Sequence, residues 1–248
     1  MNIAIITAGG YGKRMGASIP KQFIEVNGKP IIIYTLETFN NHPEIDAIIV
    51  VCTKQWMKRL QMMVDRAYLE KVVNIVEGGE EGQQSIYNGL CAARTWCQEQ
   101  GCDPSDAIVL VHDSVRPLVT HDLISRNIED VRKFGNAITV IRPTETFVVA
   151  EEGDRHRMLE RSDIHVVRAP QSFWLDKILR LHERALDDGK RAYRDCCSMM
   201  CDYGIRFHET EGPSTNIKIT IPSDIMLFHS LIELSEIRTM LGLSCDTI

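Results

Sequence analysis

The chain begins with a short apolar segment that gives way to a glycine-rich, basic turn. Residues 3–8 are almost wholly apolar, and Gly9, Gly10 and Gly12 follow, with Arg14 two positions further on. An apolar run of this length that is bounded by glycine is typical of a buried parallel strand. Glycine lets backbone N–H groups approach a ligand closely, and arginine can bind a phosphate through two hydrogen bonds. The segment therefore predicts a strand that ends at an anion-binding turn, although a turn with solvated basic side chains fits the same composition.

Similar apolar runs recur along the chain and alternate with segments of helical spacing. Further strands are predicted at 47–52, 72–76, 107–111 and 136–141, and helices at 31–39, 56–68, 85–100 and 123–134. This alternation predicts an α/β fold, with a Rossmann-like, mostly parallel sheet flanked by helices. The carboxyl ends of parallel strands lie along one edge of such a sheet, where ligands bind. We therefore expect the glycine turn, Gly78–Gly79 and His112–Asp113 to lie near one another.

Composition restricts the class of protein further. The 248 residues suffice for one α/β domain, which we predict to span 1–248. The net charge of −6 offers no general attraction to nucleic acid or to a membrane surface, and no apolar run reaches the roughly 18 residues needed to cross a bilayer. We therefore predict neither nucleic-acid nor membrane binding. Eight cysteines in a chain without a recognisable secretory signal indicate free thiols, and hence a cytoplasmic protein.

The glycine turn also carries a family resemblance. It lacks the Lys-Ser/Thr pair of the Walker motif and the spacing of the GxGxxG dinucleotide motif. The whole string AGGYGKRMG…PKQF instead resembles the signature of nucleotidyltransferases that activate sugar and polyol phosphates. It is most similar to the cytidylyltransferases that act on methylerythritol phosphate and ribitol phosphate. The resemblance implies the nucleotidyltransferase fold, a turn that wraps the triphosphate of CTP, and phosphate-binding, catalytic roles for Arg14 and Lys21. The residues of the turn that it implies to bind the nucleotide are Ala8, Gly9, Gly10 and Gly12.

A second glycine pair follows the third predicted strand. Residues 78–86 resemble the GGxxRxxS loop that encloses the cytosine in relatives. The resemblance implies that Gly78 and Gly79 offer backbone contacts to the nucleotide and that Ser85 meets its base or ribose. Gly82 stands where relatives have an arginine near the nucleotide. Either another residue supplies that positive charge or the nucleotide is bound less tightly, so cytosine is the less firmly indicated part of the substrate.

The segment HDSVRP at 112–117 follows a predicted buried strand and resembles the family's HDxxRP motif. A carboxylate and an arginine at a strand end could hold a divalent cation, position a hydroxyl or pair with each other. The resemblance implies that Asp113 faces the reacting groups, and that Arg116 orders the pocket or contacts the polyol phosphate. Mg²⁺ is the expected cofactor, bridging the triphosphate oxygens, with Asp113 as a candidate ligand. No proton for His112 to accept is evident, so we expect His112 to be structural.

The alternation of strands and helices breaks at 147–161, where an apolar run, a Glu-Glu-Gly-Asp turn and a charged run predict a hairpin. In the family, a β-arm in this region crosses to a partner subunit. The resemblance therefore implies a homodimer that forms through a β-arm at about 146–166. It also implies that Thr146 and Arg161 of the arm region hold the phosphate of the acceptor. A plain surface hairpin and a solvated Arg161 are the alternatives.

Residues 194–201 stand where relatives carry TDDAxxxE or TDACK. Asp195 is retained, whereas Arg194 replaces the threonine and Cys201 replaces the downstream acid. Cys197 and Cys201 are four residues apart, so they would share one face of a helix. A metal site would need further ligands, which no second CxxC or CxxxH motif supplies. Buried thiols on a helix face are the favoured interpretation.

The segment NIKITIPSD at 216–224 closely matches the last motif of the family, whose lysine neutralises phosphate charge beside the glycine turn. The resemblance implies that Lys218 is a third catalytic cation. The alternation at 216–220 predicts a strand, and Pro222 predicts the start of a C-terminal helix. A lysine kept on an edge strand for solubility is the alternative.

Together the motifs imply an enzyme that transfers CMP from CTP to a polyol phosphate, giving a CDP-polyol and pyrophosphate. AGG in the glycine turn and HDSVRP resemble the ribitol-phosphate branch of the family more than the methylerythritol-phosphate branch, which implies D-ribitol 5-phosphate as the acceptor. The alternative acceptors are 2-C-methyl-D-erythritol 4-phosphate and a third polyol or sugar phosphate. Another alternative is a nucleotide-binding relative without activity, because Gly82 replaces the arginine that relatives carry near the nucleotide. A dinucleotide-dependent oxidoreductase is disfavoured, because Cys52-Thr53-Lys54 stands where an acidic residue would end the second strand.

Overall fold

The structure is a computed structural model that describes residues 1–10, 15–16 and 19–240. Within those residues it has eleven strands and seven α-helices. The strands are β1 (Asn2–Ala8), β2 (Glu25–Val26), β3 (Lys29–Pro30), β4 (Ala47–Cys52), β5 (Val72–Glu77), β6 (Ile108–Asp113), β7 (Asn136–Ile141), β8 (Phe147–Ala150), β9 (His156–Leu159), β10 (Val166–Trp174) and β11 (Glu209–Glu211). The helices are α1 (Ile31–Asn40), α2 (Lys54–Arg66), α3 (Gly82–Glu99), α4 (His121–Phe134), α5 (Leu175–Asp187), α6 (Cys196–Asp202) and α7 (Pro222–Met240).

Seven strands form one sheet in the order β11-β7-β10-β6-β1-β4-β5. The strands β6, β1, β4 and β5 run parallel to their neighbours in this group, and β11 runs parallel to β7. Only β10 is antiparallel to the strands on either side of it within this sheet. The predicted α/β fold with a mostly parallel sheet is confirmed. Because β10 is antiparallel, its beginning, and not its end, lies beside the carboxyl ends of β6 and β7.

Helices cover both faces of the sheet. On one face, α3, α5 and α6 share a buried apolar cluster with Ile5 and Ile49, and on the other face α1, α2 and α4 share one with Ile6 and Ile48. All six residues of β4 are consequently buried. A strand that is covered on both faces has no solvated side, which is why the sequence shows unbroken apolar runs rather than alternation.

Helix α3 approaches the sheet closely at Gly89. A Cβ atom at this position would lie 2.6 Å from Ile5 Cγ2 and 2.8 Å from Val51 Cγ2, so glycine alone fits without a shift of the neighbours. The first turn of α3 also lies against the loop after β1, since a Cβ atom on Gly9 would lie 3.7 Å from Ser85 Oγ. This packing brings the start of α3 to the edge of the sheet at which β1 ends.

The β-arm contains the predicted hairpin. Strands β8 and β9 pair with each other in an antiparallel two-stranded sheet that is separate from the main sheet. Gly153 and Asp154, both with positive φ, lie in its turn. Val148 and Met158 are opposite each other in the hairpin and are 54% and 60% exposed. The role of the β-arm in a homodimer stays a prediction.

The predicted strand at 216–220 is wrong, because this segment joins no sheet. Its groups bond to the start of β10 and to the loop after β6 instead. The Nδ2 atom of Asn216 donates to Ala169 O (2.7 Å), and the Ile219 N–H donates to Val115 O (2.9 Å). Asn216, on the predicted polar face, is fully buried. A buried asparagine whose side chain bonds to the backbone of β10 breaks the inside–outside rule on which the strand prediction depends.

Helix α5 and strand β11 were not predicted, and the cysteine segment forms the short helix α6. Cys196 and Cys197 are buried but Cys201 is exposed, so the prediction of buried thiols is wrong for Cys201. The seven described cysteines are free, and Cys245 lies outside the described residues. Across residues 1–10, 15–16 and 19–240, no group of three or more His, Cys, Asp or Glu side chains is placed to hold a metal ion. None of the helices described there has the length and apolar character that spanning a membrane requires.

Candidate active site at the sheet edge

A cavity of about 720 Å³ opens at the edge of the sheet where β1, β5 and β6 end and β10 begins. We call it the sheet-edge cavity. Its walls come from the loops after the three parallel strands, from the first residues of β10, and from 218–220 and 194–195. Open α/β sheets bind ligands at this edge. The glycine turn, Gly79 and His112–Asp113 all contribute to the walls, so the three segments that the sequence expected to meet do meet.

Asp113, at the end of β6, is bonded to two cations. Lys218 Nζ donates to its Oδ1 over 2.8 Å, and Arg116 Nε donates to its Oδ2 over 2.8 Å. A turn in which the Arg116 N–H donates to Asp113 O (3.0 Å) positions the arginine. We call Asp113, Arg116 and Lys218 the Asp113 cluster. With two cations and one carboxylate, the cluster carries a net positive charge into the cavity.

The pKa of Asp113 is held well below its usual value. Burial alone would raise this pKa, but the charges of Lys218 and then of Arg116, with their hydrogen bonds, outweigh it. Asp113 is therefore an anion throughout the neutral range and a poor proton acceptor. Both of its carboxylate oxygens already contact a cation, so this arrangement does not fit the predicted role of Asp113 as a magnesium ligand.

Lys21 connects the glycine turn to the segment that carries Lys218. The side chain of Lys21 is 8% exposed, and its Nζ donates to Ile219 O (2.7 Å). Ile219 is itself buried in a small apolar cluster with Val115 and Phe228. These contacts fix the backbone on which Lys218 stands. Lys21 and Lys218 both line the sheet-edge cavity, and their catalytic role stays a prediction.

His112 lies in the floor of the sheet-edge cavity and is 1% exposed. Its Nε2 donates to Arg116 O (3.1 Å), and its ring packs beside that of Phe39. Burial lowers the pKa of His112 to about 4, so the ring is neutral near pH 7. A buried, neutral histidine that bonds the HDSVRP turn to itself has the structural role that the sequence predicted.

The part of the cavity near β1 and β5 is built from glycines and backbone groups. Gly9, Gly10, Gly79 and Ser85 line it, and the buried Ala8 accepts a hydrogen bond at its carbonyl from Gln22 Nε2 (2.7 Å). The Ser85 hydroxyl accepts a hydrogen bond from the Gly79 N–H (3.1 Å). In this structure Ser85 therefore holds the shape of the loop that was predicted to contact the nucleotide.

Gly78 and Gly82 complete this part of the site in different ways. A Cβ atom on Gly78 would lie 3.0 Å from Ser85 Oγ, so Gly78 allows that hydroxyl to approach the loop. Gly82 opens α3 at the cavity wall, and a Cβ atom there would meet nothing closer than Arg194 O at 3.8 Å. Arg194 and Asp195 also line the cavity beside Gly82. The chain therefore brings an arginine next to the position at which relatives carry one.

The remaining predicted residues lie elsewhere. Gly12 and Arg14 lie outside the described residues. Thr146 and Arg161, at the two ends of the hairpin, are exposed and do not line the sheet-edge cavity. A role for Thr146 and Arg161 at the acceptor phosphate therefore requires a cavity other than the one in their own chain.

Sequence reasoning missed Arg168. This residue lines the sheet-edge cavity from the beginning of β10, beside Arg116. Its position directly before Ala169–Phe173 gave no signal of its own, because a single arginine at the start of a strand is most often a solvated residue.

Comparison with known proteins places these elements among relatives. The family model described as IspD, 2-C-methyl-D-erythritol 4-phosphate cytidylyltransferase, matches residues 2–233. The ribitol-5-phosphate cytidylyltransferase of Vibrio parahaemolyticus is 43% identical over 98% of this chain and 100% of its own length. The 2-C-methyl-D-erythritol 4-phosphate cytidylyltransferase of Clostridium botulinum is 36% identical over 94% of this chain and 97% of its own length.

A solved structure shows the same fold. The 4-diphosphocytidyl-2C-methyl-D-erythritol synthase of Anaerococcus prevotii superposes with a TM-score of 0.77 at 25% sequence identity, covering 94% of this chain and 96% of that one. The family match at residues 2–233 includes every segment that lines the sheet-edge cavity. The similarity therefore extends to the candidate site as well as to the scaffold.

Proposed function

Because the chain belongs to the 2-C-methyl-D-erythritol 4-phosphate cytidylyltransferase family, and is thus a nucleotidyltransferase, we propose that it transfers CMP from CTP to D-ribitol 5-phosphate and releases pyrophosphate. The observation that supports this reaction is the Asp113 cluster, in which one carboxylate binds two cations and keeps them at the sheet edge. The acceptor is supported by the 43% identity to the ribitol-5-phosphate enzyme of Vibrio parahaemolyticus, against 36% to the methylerythritol-phosphate enzyme of Clostridium botulinum.

The reaction needs no general base. An oxygen of the acceptor's phosphate attacks the α-phosphorus of CTP in line, a new P–O bond forms, and the bond to pyrophosphate breaks. The attacking phosphate is already ionised near pH 7, and the protein has to position two anions and offset their repulsion. The low pKa of Asp113 and the neutral, buried ring of His112 agree with a site in which no side chain moves a proton.

The cations of the cavity perform the electrostatic work. We assign Lys218 and Lys21 to the charge that develops around the α-phosphate and the leaving pyrophosphate, together with Arg14, whose role comes from the resemblance alone. The locked Asp113 orients Lys218 and Arg116, which is a positioning role. We further propose that Mg²⁺ enters the site with the triphosphate, because both oxygens of Asp113 are already bonded, and that it would neutralise phosphate charge when bound.

The predicted assembly is part of the proposal. We propose a homodimer in which the β-arm of one subunit brings Thr146 and Arg161 to the acceptor phosphate in the other. Exposure of both residues in the single chain is compatible with this arrangement. We also propose a cytoplasmic location, supported by the free state of the seven described cysteines.

Pyrophosphate release tests the proposed function directly. The protein is supplied with CTP, Mg²⁺ and, in separate reactions, D-ribitol 5-phosphate, 2-C-methyl-D-erythritol 4-phosphate and other polyol phosphates. We expect release with D-ribitol 5-phosphate at a kcat/KM at least about tenfold above that with any other acceptor. A preference for 2-C-methyl-D-erythritol 4-phosphate would correct the acceptor. CTP binding without release across the panel would indicate a non-catalytic relative and would contradict the proposed function.

A further inference from the structure

Arg168 stands in an irregular part of β10, where the pairing with β7 is interrupted. Val167 pairs with Val140, but the next pair joins Gln171 to Ile138, so the register shifts between Val167 and Gln171. Bulges of this kind often re-aim a side chain beside an active site. Here the shift lies at the carboxyl edge of β6, and Arg168 lines the sheet-edge cavity instead of covering a face of the sheet.

The guanidinium of Arg168 shares a carbonyl with a second arginine. Arg168 Nη1 donates to Asn216 O (2.6 Å) and more weakly to Ser214 O (3.3 Å), and Arg116 Nη1 donates to the same Asn216 O (2.9 Å). Two positive charges therefore converge on one neutral acceptor. The Nε and Nη2 atoms of Arg168 have no hydrogen-bond partner in the described part of the chain.

The charge of Arg168 is not compensated within the described chain. Arg116 is paired with Asp113, but no carboxylate among residues 1–10, 15–16 and 19–240 pairs with Arg168. Burial and then the charge of Arg116 lower the pKa of Arg168, which is the direction that an unpaired cation beside another cation produces. A half-buried guanidinium with free donors in a cavity is a site for an anion.

The order of the strands indicates which substrate's phosphate lies near Arg168. The glycines that line the cavity follow β1 and β5, Asp113 and Arg116 follow β6, and Arg168 opens β10 beyond them. If the glycine end receives the triphosphate, Arg168 lies at the opposite end, past the Asp113 cluster. We propose that Arg168 binds the phosphate of the polyol phosphate acceptor through its free Nε and Nη2 donors. This inference rests on the proposed function.

The proposal is distinct from a purely structural role for Arg168. Asn216 O keeps the hydrogen bond from Arg116 if Arg168 is replaced, and Asn216 Nδ2 keeps its bond to Ala169 O. Loss of Arg168 therefore removes a charge and a two-donor fork from the cavity while the 214–216 loop stays bonded. A structural role would change the kinetics for both substrates together, whereas a binding role changes those for the acceptor alone.

The test compares Arg168→Gln with Arg168→Lys and with a surface control. The control is Arg180→Gln, which removes an exposed arginine that pairs with Asp176 on α5. Steady-state kinetics of the full chain are measured with CTP and D-ribitol 5-phosphate, each varied at saturating concentrations of the other. We expect Arg168→Gln to raise the KM for D-ribitol 5-phosphate at least about tenfold while the KM for CTP changes less than about twofold. Arg168→Lys restores part of the loss because it keeps the charge, and Arg180→Gln changes neither constant.

The outcomes separate this inference from the proposed function. An active wild-type protein and an unchanged acceptor KM in Arg168→Gln, or an equal rise in both KM values, would overturn the role of Arg168 and leave the proposed function intact. If the wild-type protein releases no pyrophosphate, the proposed function fails, and calorimetric binding of D-ribitol 5-phosphate to the wild-type and Arg168→Gln proteins decides the inference. Weaker binding to the variant supports it, and equal or absent binding overturns it. If Arg168→Gln does not fold, Arg168→Lys decides by the same comparison of KM values.

Discussion

The Asp113 cluster and the β-arm carry residues that the resemblance assigns to the same reaction, yet they differ in structural support. Contacts at the buried sheet fix the cluster, whereas the assigned residues of the β-arm are exposed at the base of a separate hairpin. In the cluster, Asp113 and Lys218 are 105 residues apart in sequence and meet over 2.8 Å. Asp113 ends the buried strand β6, and the segment that carries Lys218 is bonded to the loop after that strand. In the β-arm, β8 and β9 bond to each other, and Arg161 at its base is exposed. All contacts of the cluster are made within one chain, whereas the proposed role of the β-arm at the acceptor phosphate involves a second chain. The two regions should therefore respond differently to substitution, to pH and to mixing of chains.

The largest expected effect comes from Lys218→Ala in the Asp113 cluster. Under the proposed function, this change removes a positive charge that stabilises the transferred phosphate, and a single preorganised contact of this kind lowers the barrier by about 3–4 kcal/mol. We expect kcat to fall by about 10²- to 10³-fold, measured as pyrophosphate release. The fold should persist, because the side chain of Lys218 is 44% exposed and Arg116 still pairs with Asp113.

The matched control for this change is Lys58→Ala, which removes an exposed lysine from α2. Lys58→Ala should keep wild-type turnover, and thermal unfolding should show that both variants fold. Turnover of Lys218→Ala within about threefold of wild type would contradict the central role of the cluster. The comparison with the β-arm would then lose its basis, because neither region would be shown to hold an essential cation.

The second prediction concerns the loss of stability of the folded chain in acid. Burial lowers the pKa of His112 from 6.5 to about 4, and it lowers that of His182 in the same way. As the pH falls, each histidine takes up a proton in the unfolded chain at a higher pH than in the folded chain. The contribution of each neutral histidine to the free energy of unfolding is therefore fully present above pH 6.5 and is lost as the pH drops towards 4. Between about pH 7 and pH 5, His112 should contribute a loss of about 2 kcal/mol in the free energy of unfolding.

Urea unfolding at the two pH values measures this loss, with His112→Gln as the test variant. Glutamine keeps an N–H donor for Arg116 O but takes up no proton, so the variant should lose about 2 kcal/mol less than wild type between the two pH values. The expectation is independent of how much His112→Gln destabilises the chain at pH 7. Parallel pH dependences in the two proteins would show that His112 is not held neutral beneath the cluster.

The sequence predicted the sheet better than it predicted the site. Buried strands such as β4 appear as unbroken apolar runs because helices cover both of their faces, and that signal is local. The approach of Lys218 to Asp113 could be inferred only from the resemblance, since no spacing rule joins the end of a strand to a segment that is distant in sequence. The irregular course of 216–220 and the cavity position of Arg168 depend on Asn216, whose amide and carbonyl bond to groups of β10 and of the loop after β6. A one-dimensional pattern does not encode such a residue.

The third prediction tests whether the β-arm acts across two chains. Arg161→Ala should raise the acceptor KM about tenfold, because a charge-assisted bond to the phosphate is lost. In a dimer with crossed arms, an Arg161→Ala chain supplies an intact cavity and a Lys218→Ala chain supplies an intact arm. Co-expression of the two variants should therefore produce one functional site in each mixed dimer, with about a quarter of wild-type activity overall at low acceptor concentration. A mixture that shows only half the activity of Arg161→Ala alone would mean that the arm does not contribute to the cavity of the other chain.

The smallest expected effect on stability is that of Met158→Ser in the β-arm. The side chain is 60% exposed, so its loss should change the free energy of unfolding of the chain by less than about 0.5 kcal/mol. If the apolar side of the hairpin, Val148 and Met158, is covered in a dimer, the same change should raise the dimer dissociation constant about tenfold. Met62→Ser, at a site on α2 that is 53% exposed, is the matched control and should leave the dimer unchanged. Sedimentation over a range of concentrations compares the two. Equal dissociation of both variants would make the β-arm a plain surface hairpin, and Thr146 and Arg161 would then have no route to the acceptor phosphate.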